Sequence, residues 1–411
     1  MRLDLDDAGF RREVAGWLRE LDEDVICDLN TVFDRSPGVY PTTLVPLWRE
    51  ELARRQISAR EPGSESRADA ADLLPVGHPV DADWRFTPDS VVDLVACATA
   101  DLANGEPMAH VGAPSTFLRC VLAGGHHQHV LVDRNVRVLD ALAARDVGPP
   151  HLMLGVDLRS IRRLHFRAGA AIVDPPWYWD DTLLFLTVAV QMCRPNATVV
   201  LCQPAMGTRP GVDHERVALL EVVSSLGLRV DAVQSAAVRY VTPHFEAVSL
   251  RAAGHGVSIP TSWRRGDVLL LKRTDATIPP DRAATFGQEW HEVSFGPVRL
   301  KLSRLPTGPD LGELVAGDIL PTVSRRDPLQ RRIGLWTSGN RVFTVEHPDA
   351  IGELVKLCDA GLASQRFSLS RTIAQARTLG LGSDVATRLF AVLRTELAEH
   401  TQLGGEHYER G

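Results

Sequence analysis

The chain has 411 residues, 44% of them hydrophobic, and a formal net charge of -7. That length accommodates two or three domains with at least one sizeable core, and the acidic balance argues against a duplex-binding protein, which usually carries a basic surplus to neutralise phosphates; a cationic small molecule is a more natural partner. No stretch approaches the ~20 apolar residues of a membrane span, and the charged first six residues do not read as a signal peptide.

Residues 1–75 read as a helical unit. Phe10, Val14, Trp17 and Leu18 repeat at helical spacing, as do Leu44, Leu47, Trp48 and Leu52. The polar segment from Glu61 to Ala71 suggests a linker. Residues 76–262 alternate strands and helices, the pattern of a parallel sheet with crossover helices. Buried strands are expected at Met108–Val111, His129–Val132, His151–Val156, Ala170–Val173 and Ala197–Cys202, with a sixth beginning at Leu228. A hairpin is expected around Thr242-Pro243-His244, with Phe245 to Leu250 returning antiparallel. Residues 263–411 read as a further α+β domain of unknown role, β-rich at first and helical from Asp349. It carries the polar segments Ser324-Arg325-Arg326-Asp327 and Trp336-Thr337-Ser338-Gly339-Asn340-Arg341-Val342-Phe343. The arginines there suit bidentate anion recognition or, more commonly, Arg–Asp bridges within a small domain.

Six cysteines, at Cys27, Cys97, Cys120, Cys193, Cys202 and Cys358, form no CxxC. They read as buried free thiols of a cytoplasmic protein. His126, His127 and His129 sit in a Gly-Gly turn without a nearby acid or thiol, so no metal site is expected.

The run Ala170 to Trp177 carries the chemistry. It is an apolar strand ending in Asp174-Pro175-Pro176-Trp177. An Asp at a strand end can accept one N–H of an amine, and the carbonyl of Pro175 can accept another, held by the fixed φ of the prolines. Trp177 and Tyr178 supply a flat wall. Open α/β sheets bind ligands at the carboxyl ends of their strands. Gly112, Asp133 and Asp157 fall at the first three such ends and Asp174 at the fourth. Asp180 and Asp181 just beyond read as caps of the next helix or as partners of a second ammonium. Tyr240, His244 and Glu246 fall near the expected sixth-strand turn, and His244 is a candidate base because its ordinary pKa lies near neutrality.

This layout resembles the class I S-adenosylmethionine-dependent methyltransferase superfamily over residues 76–255. Within it the chain is similar to the branched-chain polyamine synthases of the N4-bis(aminopropyl)spermidine synthase type, which carry an N-terminal winged-helix-like unit. The resemblance implies a Rossmann-like α/β fold. It places Gly112 and Ser115 in the glycine loop, Asp133 on the ribose, Asp157 near the adenine, and Asp174, Pro175 and Trp177 in the amino-alkylating motif. It implies S-adenosylmethionine or its decarboxylated form as cofactor and a nitrogen nucleophile as acceptor. The glycine loop departs from the family pattern: Val111-Gly112-Ala113-Pro114-Ser115 holds a single glycine.

The expected function is therefore alkyl transfer, methyl or aminopropyl, to an amine nitrogen. Asp174, Pro175, Trp177, Tyr178 and His244 are the catalytic candidates. Gly112, Ser115, Asp133, Asp157 and Asp174 are the cofactor candidates. A small cationic amine is the favoured partner, and a homodimer is left open. The rival readings are methylation of an adenine or cytosine amino group, and a noncatalytic scaffold that keeps the sheet.

Overall fold

The computed structural model describes residues 7–60, 73–145, 150–160, 166–254, 257, 259–275, 289–321, 323 and 327–404. The expected linker from Glu61 to Ala71 and the residues Ser324, Arg325 and Arg326 lie outside the described residues. Two compact units emerge, one of Met1–Leu74, Trp84–Thr242 and His255–Thr285, the other of Pro75–Asp83, Pro243–Gly254 and Phe286–Gly411. The helical N-terminus thus belongs with the sheet that follows it. The second unit takes in two short stretches from the segment expected to form the Rossmann-like domain.

The first unit opens with helices α1 (Asp7–Glu20), α2 (Glu23–Ile26), α3 (Leu29–Arg35) and α4 (Pro41–Arg55). Among residues 7–60 there is no strand. Phe10, Val14 and Leu18 of α1 are buried, as their spacing requires, against Leu44, Val45 and Trp48 of α4 and the later Trp263. The Trp48 indole donates to the Ile26 carbonyl at 2.7 Å, which satisfies its buried N–H.

The sheet elements follow: β1 (Arg85–Phe86), α5 (Pro88–Thr99), β2 (Met108–Val111), α6 (Pro114–Ala123), β3 (His129–Asp133), α7 (Val136–Ala143), β4 (Leu152–Gly155), β5 (Ala168–Val173), α8 (Trp179–Met192), β6 (Cys193–Pro204), α9 (Val212–Val223), β7 (Leu228–Val241) and β8 (Arg264–Arg273). The strand order is β1-β7-β8-β6-β5-β2-β3-β4. β2, β3, β4, β5 and β6 pair in parallel, and β8 lies antiparallel between β6 and β7. Apart from the short edge strand β1, this is the order of the class I methyltransferase fold.

Strand periodicity sets the layers. Val111, Ala171 and Val173 point to one face with Leu183, Leu186 and Val190 of α8. Met108, Ala170 and Ile172 point to the other with Val91 and Leu94 of α5. All six residues of β5 are buried. Its small side chains admit helices on both faces, which keeps the end of β5 in a rigid setting.

The second unit holds α10 (His244–Ala252), then β9 (Trp290–Phe295), β10 (Val298–Ser303), β11 (Gly312–Glu313), β12 (Leu335–Thr337) and β13 (Val342–Thr344), then α11 (Pro348–Ala363), α12 (Leu369–Thr378) and α13 (Ser383–Gly404). Its sheet is antiparallel in the order β11-β13-β12-β10-β9. Leu300, Leu302, Leu335 and Phe343 from the strands pack with Ile351, Leu354, Leu389 and Leu393 from the helices. The expected hairpin after Thr242 is not formed. Residues Phe245 to Leu250 lie within α10, with Phe245, Val248 and Ser249 buried at helical spacing. β7 pairs instead with β8, Tyr240 opposite Arg264.

Candidate functional site

Because β2 to β5 run parallel, their carboxyl ends share one edge. Gly112 follows β2, Asp133 ends β3, Asp157 lies two residues beyond β4, and Asp174 follows β5. Along the sheet they read Asp157, Asp133, Gly112, Asp174. The Asp174 N–H donates to the Val111 carbonyl at 3.1 Å, and the Gly112 N–H to the Val132 carbonyl at 2.9 Å. The ladder thus continues one residue past the strands and fixes where both residues sit.

Gly112 has φ of +64°, a conformation L side chains rarely adopt. A Cβ there would lie 2.6 Å from the Phe185 ring and 3.1 Å from the Asp174 carbonyl. The glycine is thus required for packing under the edge as well as for backbone geometry. Helix α6 begins two residues later with Pro114 in its first turn and no side-chain cap, and Ser115 lies in that turn. The Asp133 carboxylate accepts the Asn135 N–H at 2.8 Å. Asp157 accepts the Arg159 N–H at 2.9 Å and pairs with its guanidinium at 3.2 Å. Both acids therefore also shape the turns that follow their strands.

Asp174 is placed differently. It keeps partial solvent contact, but its carboxyl sits in a largely apolar surround. Burial pushes its pKa up to about 8; the hydroxyl of Tyr240 and the charge of Arg264 pull the other way without overcoming it. Tyr240, itself 2% exposed, donates to Asp174 Oδ1 at 2.8 Å. Pro175 is buried, and the Tyr178 N–H donates to the Pro176 carbonyl at 2.6 Å. Asp180 and Asp181 lie in the first turn of α8, where carboxylates suit the helix dipole.

Three aromatic rings pack on Tyr240, the hydrogen-bond partner of this acid. Trp177 meets Tyr240 edge-on at 5.4 Å between centroids, Phe86 lies 4.7 Å from Tyr240, and Trp84 lies 6.5 Å from it. The Arg264 guanidinium carbon lies 3.9 Å from the Trp177 ring centre and 4.0 Å from that of Trp84. It is a planar cation held between two indoles. Its Nε is buried and has no hydrogen-bond partner among the described residues.

Sequence reasoning singled out Asp174, Trp177 and Tyr240 but missed Trp84 and Arg264. The Tyr240–Arg264 pairing across β7 and β8 is the missing link, and no local pattern announces a register between strands. His244 opens α10 of the second unit, with its ring 4.1 Å from that of His400. Glu246 lies buried in the same helix. Arg341 forms an internal bridge, its guanidinium on Glu396 at 2.8 Å and Glu399 at 2.7 Å.

No protein-family model matches the chain, and no curated protein matches it. Among solved structures, the branched-chain polyamine synthase from Thermus thermophilus, crystallised with N4-aminopropylspermidine and 5'-methylthioadenosine, is 18% identical, with 68% of this chain and 96% of that one covered at a TM-score of 0.45. Its C9 mutein is 17% identical over 67% of this chain and 96% of that one, with a TM-score of 0.47. The N-methyltransferase NodS from Bradyrhizobium japonicum WM9 is 11% identical over 46% of this chain and 96% of that one, with a TM-score of 0.31. These are likenesses of fold.

Proposed function

We propose that the first unit transfers an alkyl group from a sulfonium donor of the S-adenosylmethionine type to an amine nitrogen held at Asp174. The observation that carries this reading is a carboxyl whose pKa is pushed up to about 8 and whose bonded partner, Tyr240, packs among aromatic rings. A desolvated acid near neutrality is suited to holding and then relieving an amine of its proton.

The sheet edge suits a nucleoside-bearing donor. It has an uncapped helix start after β2 and acids after β3 and β4, the positions from which ribose hydroxyls and an adenine amine are met in such folds. When bound, such a donor supplies an electrophilic carbon on a positively charged sulfur. This chain's residues do the rest. The indole faces of Trp84 and Trp177 orient the acceptor, and Asp174 Oδ2 accepts one of its N–H groups while Tyr240 holds Oδ1. As the C–N bond forms and the C–S bond breaks, positive charge develops on nitrogen, and Asp174 stabilises it and takes the proton. Partial solvent contact lets the proton leave. Orientation supplies much of the acceleration, since the leaving sulfur becomes neutral.

Arg264 gives the acceptor side its character. A cage that holds a guanidinium between two indoles is a cage for a cation, and a cationic acceptor takes that place when Arg264 turns out. The donor is tested by calorimetric titration with S-adenosylmethionine, its decarboxylated form and methylthioadenosine. Preference for the decarboxylated donor supports aminopropyl transfer, and preference for S-adenosylmethionine supports methyl transfer. Asp174→Asn then tests the mechanism, because turnover surviving in a folded variant removes Asp174 from the reaction. The loop after β2, with its single glycine at Gly112, keeps one rival open, a scaffold that has given up the donor. Absence of binding to all three compounds would establish that reading.

A further inference from the structure

The segment Trp336 to Phe343 of the second unit has no part in the reading above, yet it is built around one buried carboxylate. Glu396 of α13 is fully buried. Its Oε1 accepts from Thr337 Oγ1 at 2.6 Å and from Arg341 Nη1 at 2.8 Å. Its Oε2 is buried and has no hydrogen-bond partner among the described residues. A side chain on Gly339 would collide with this carboxylate, so the glycine lets the turn close over it. Asn340 donates to Ser249 Oγ of α10 at 2.6 Å and takes the Trp336 indole N–H at 2.7 Å.

His400 lies one helical turn beyond Glu396, and His244 comes from α10. One ligand atom from each of the three residues lies within 4.8 Å of the others. The tautomer of His400 follows from its partners. Its Nδ1 lies 2.8 Å from the Glu396 backbone carbonyl, which can only accept, so Nδ1 carries the hydrogen and Nε2 the lone pair, which faces the Ser338 hydroxyl at 3.3 Å. A ring nitrogen given to a backbone carbonyl while the other keeps its lone pair is the arrangement adopted by metal-ligating histidines. Glu396 is prepared in the same way, one oxygen fixed by Thr337 and Arg341 and the other left over. Charge agrees. Arg341 is shared between Glu396 and Glu399, so two carboxylates face one guanidinium and a net negative charge remains.

We propose that His244, Glu396 and His400 bind a divalent transition ion, zinc foremost, which ties α10 to α13 within the second unit. Two imidazole nitrogens and one carboxylate oxygen form a donor set that zinc accepts, at bonds of roughly 2.0–2.2 Å. The ligand atoms lie within 4.8 Å of one another, so binding requires side-chain rotation to close on the ion. Iron(II) accepts the same set. Three protein ligands leave one position for water.

The test uses the full-length protein, stripped with a chelator and dialysed against zinc. About one zinc per chain is expected to survive desalting, and zinc is expected to raise the melting temperature. Cobalt(II) should give visible absorption bands of a low-coordinate site, bleached by zinc. His244→Ala and Glu396→Gln should each weaken zinc binding at least about tenfold. His244→Ala leaves the Thr337 and Arg341 contacts in place, so its metal-free melting temperature serves as the control for folding. Asp174→Asn should keep the zinc, which separates this site from the transferase reading. Sub-stoichiometric zinc, cobalt that keeps the spectrum of its aqueous ion, or equal retention by wild type and His244→Ala would each overturn the proposal.

Discussion

Two aspartates with desolvated carboxyls show how differently one chain treats the same side chain. In the second unit, burial works against the charge of Asp81, but Lys301 and Arg299 overrule it and hold the carboxyl well below its ordinary range. Arg299 Nη2 lies 2.7 Å from Asp81, and Lys301 is bonded to its other oxygen. In the first unit, Asp174 meets a tyrosine hydroxyl and a cation spread over two indoles, and its pKa goes up to about 8. Desolvation is common to both, and the number and closeness of cations decides the outcome. A carboxylate locked between two cations serves the fold, whereas one left near neutrality can exchange a proton.

The widest separation between them should appear in turnover. Asp174→Asn is expected to lower the alkyl-transfer rate by about 10²–10⁴-fold, the usual contribution of a positioned base, with the fold intact by circular dichroism. Asp81→Asn should leave the rate of a folded sample within a few-fold. In denaturant titrations the order should reverse. Asp81→Asn is expected to cost about 3–5 kcal/mol, the range for removing one partner of a buried ion pair. Equal rate losses in the two variants would erase the distinction.

A pH profile sharpens it. Asp174 must be ionised to take a proton, so kcat/KM should rise with pH up to about 8, where burial places its pKa. Arg264 lowers that value, so Arg264→Gln should move the rising limb to higher pH. A limb that stays put would show that Arg264 does not act on Asp174.

A smaller effect concerns stability. The folded pKa of Asp174 lies above its ordinary value of 3.8. Its contribution is therefore fully present below about pH 4 and is lost as pH rises through about 8. Asp174→Asn should not show that loss, so the variant should gain on wild type in melting temperature between pH 5 and pH 9. Tyr240→Phe is the mildest change, at about 1 kcal/mol, and should also raise the pKa read from the rate profile.

The centre of the parallel sheet was legible because its strands are buried on both faces and end in polar residues, whereas the edge strand β4 is partly exposed. Met108–Val111, His129–Asp133 and Ala168–Val173 are apolar runs stopped by Gly112, Asp133 and Asp174. Helix α10 was not, because nine residues carry too little periodicity to separate helix from strand. The start signals were present in Pro243 and in Glu246 of the first turn. Trp84 and Arg264 stayed hidden for another reason. Their roles arise from strand pairing between distant segments, and Arg264 meets Tyr240 only through the register of β7 and β8. The arginine of the tail segment from Trp336 to Phe343 forms a bridge within its domain, the commoner of the two readings, but its partners Glu396 and Glu399 lie on a helix more than fifty residues away, which no local pattern announces.

The guanidinium stacked on Trp84 and Trp177 also makes the chain its own optical probe. Trp84 stands edge-on to Trp263, with centroids 5.8 Å apart, so three of the eight tryptophans report on one small volume. A ligand that displaces Arg264 changes the electric field across two indoles at once. Their emission should shift on mixing, and stopped-flow fluorescence would then time acceptor entry without a label on either molecule.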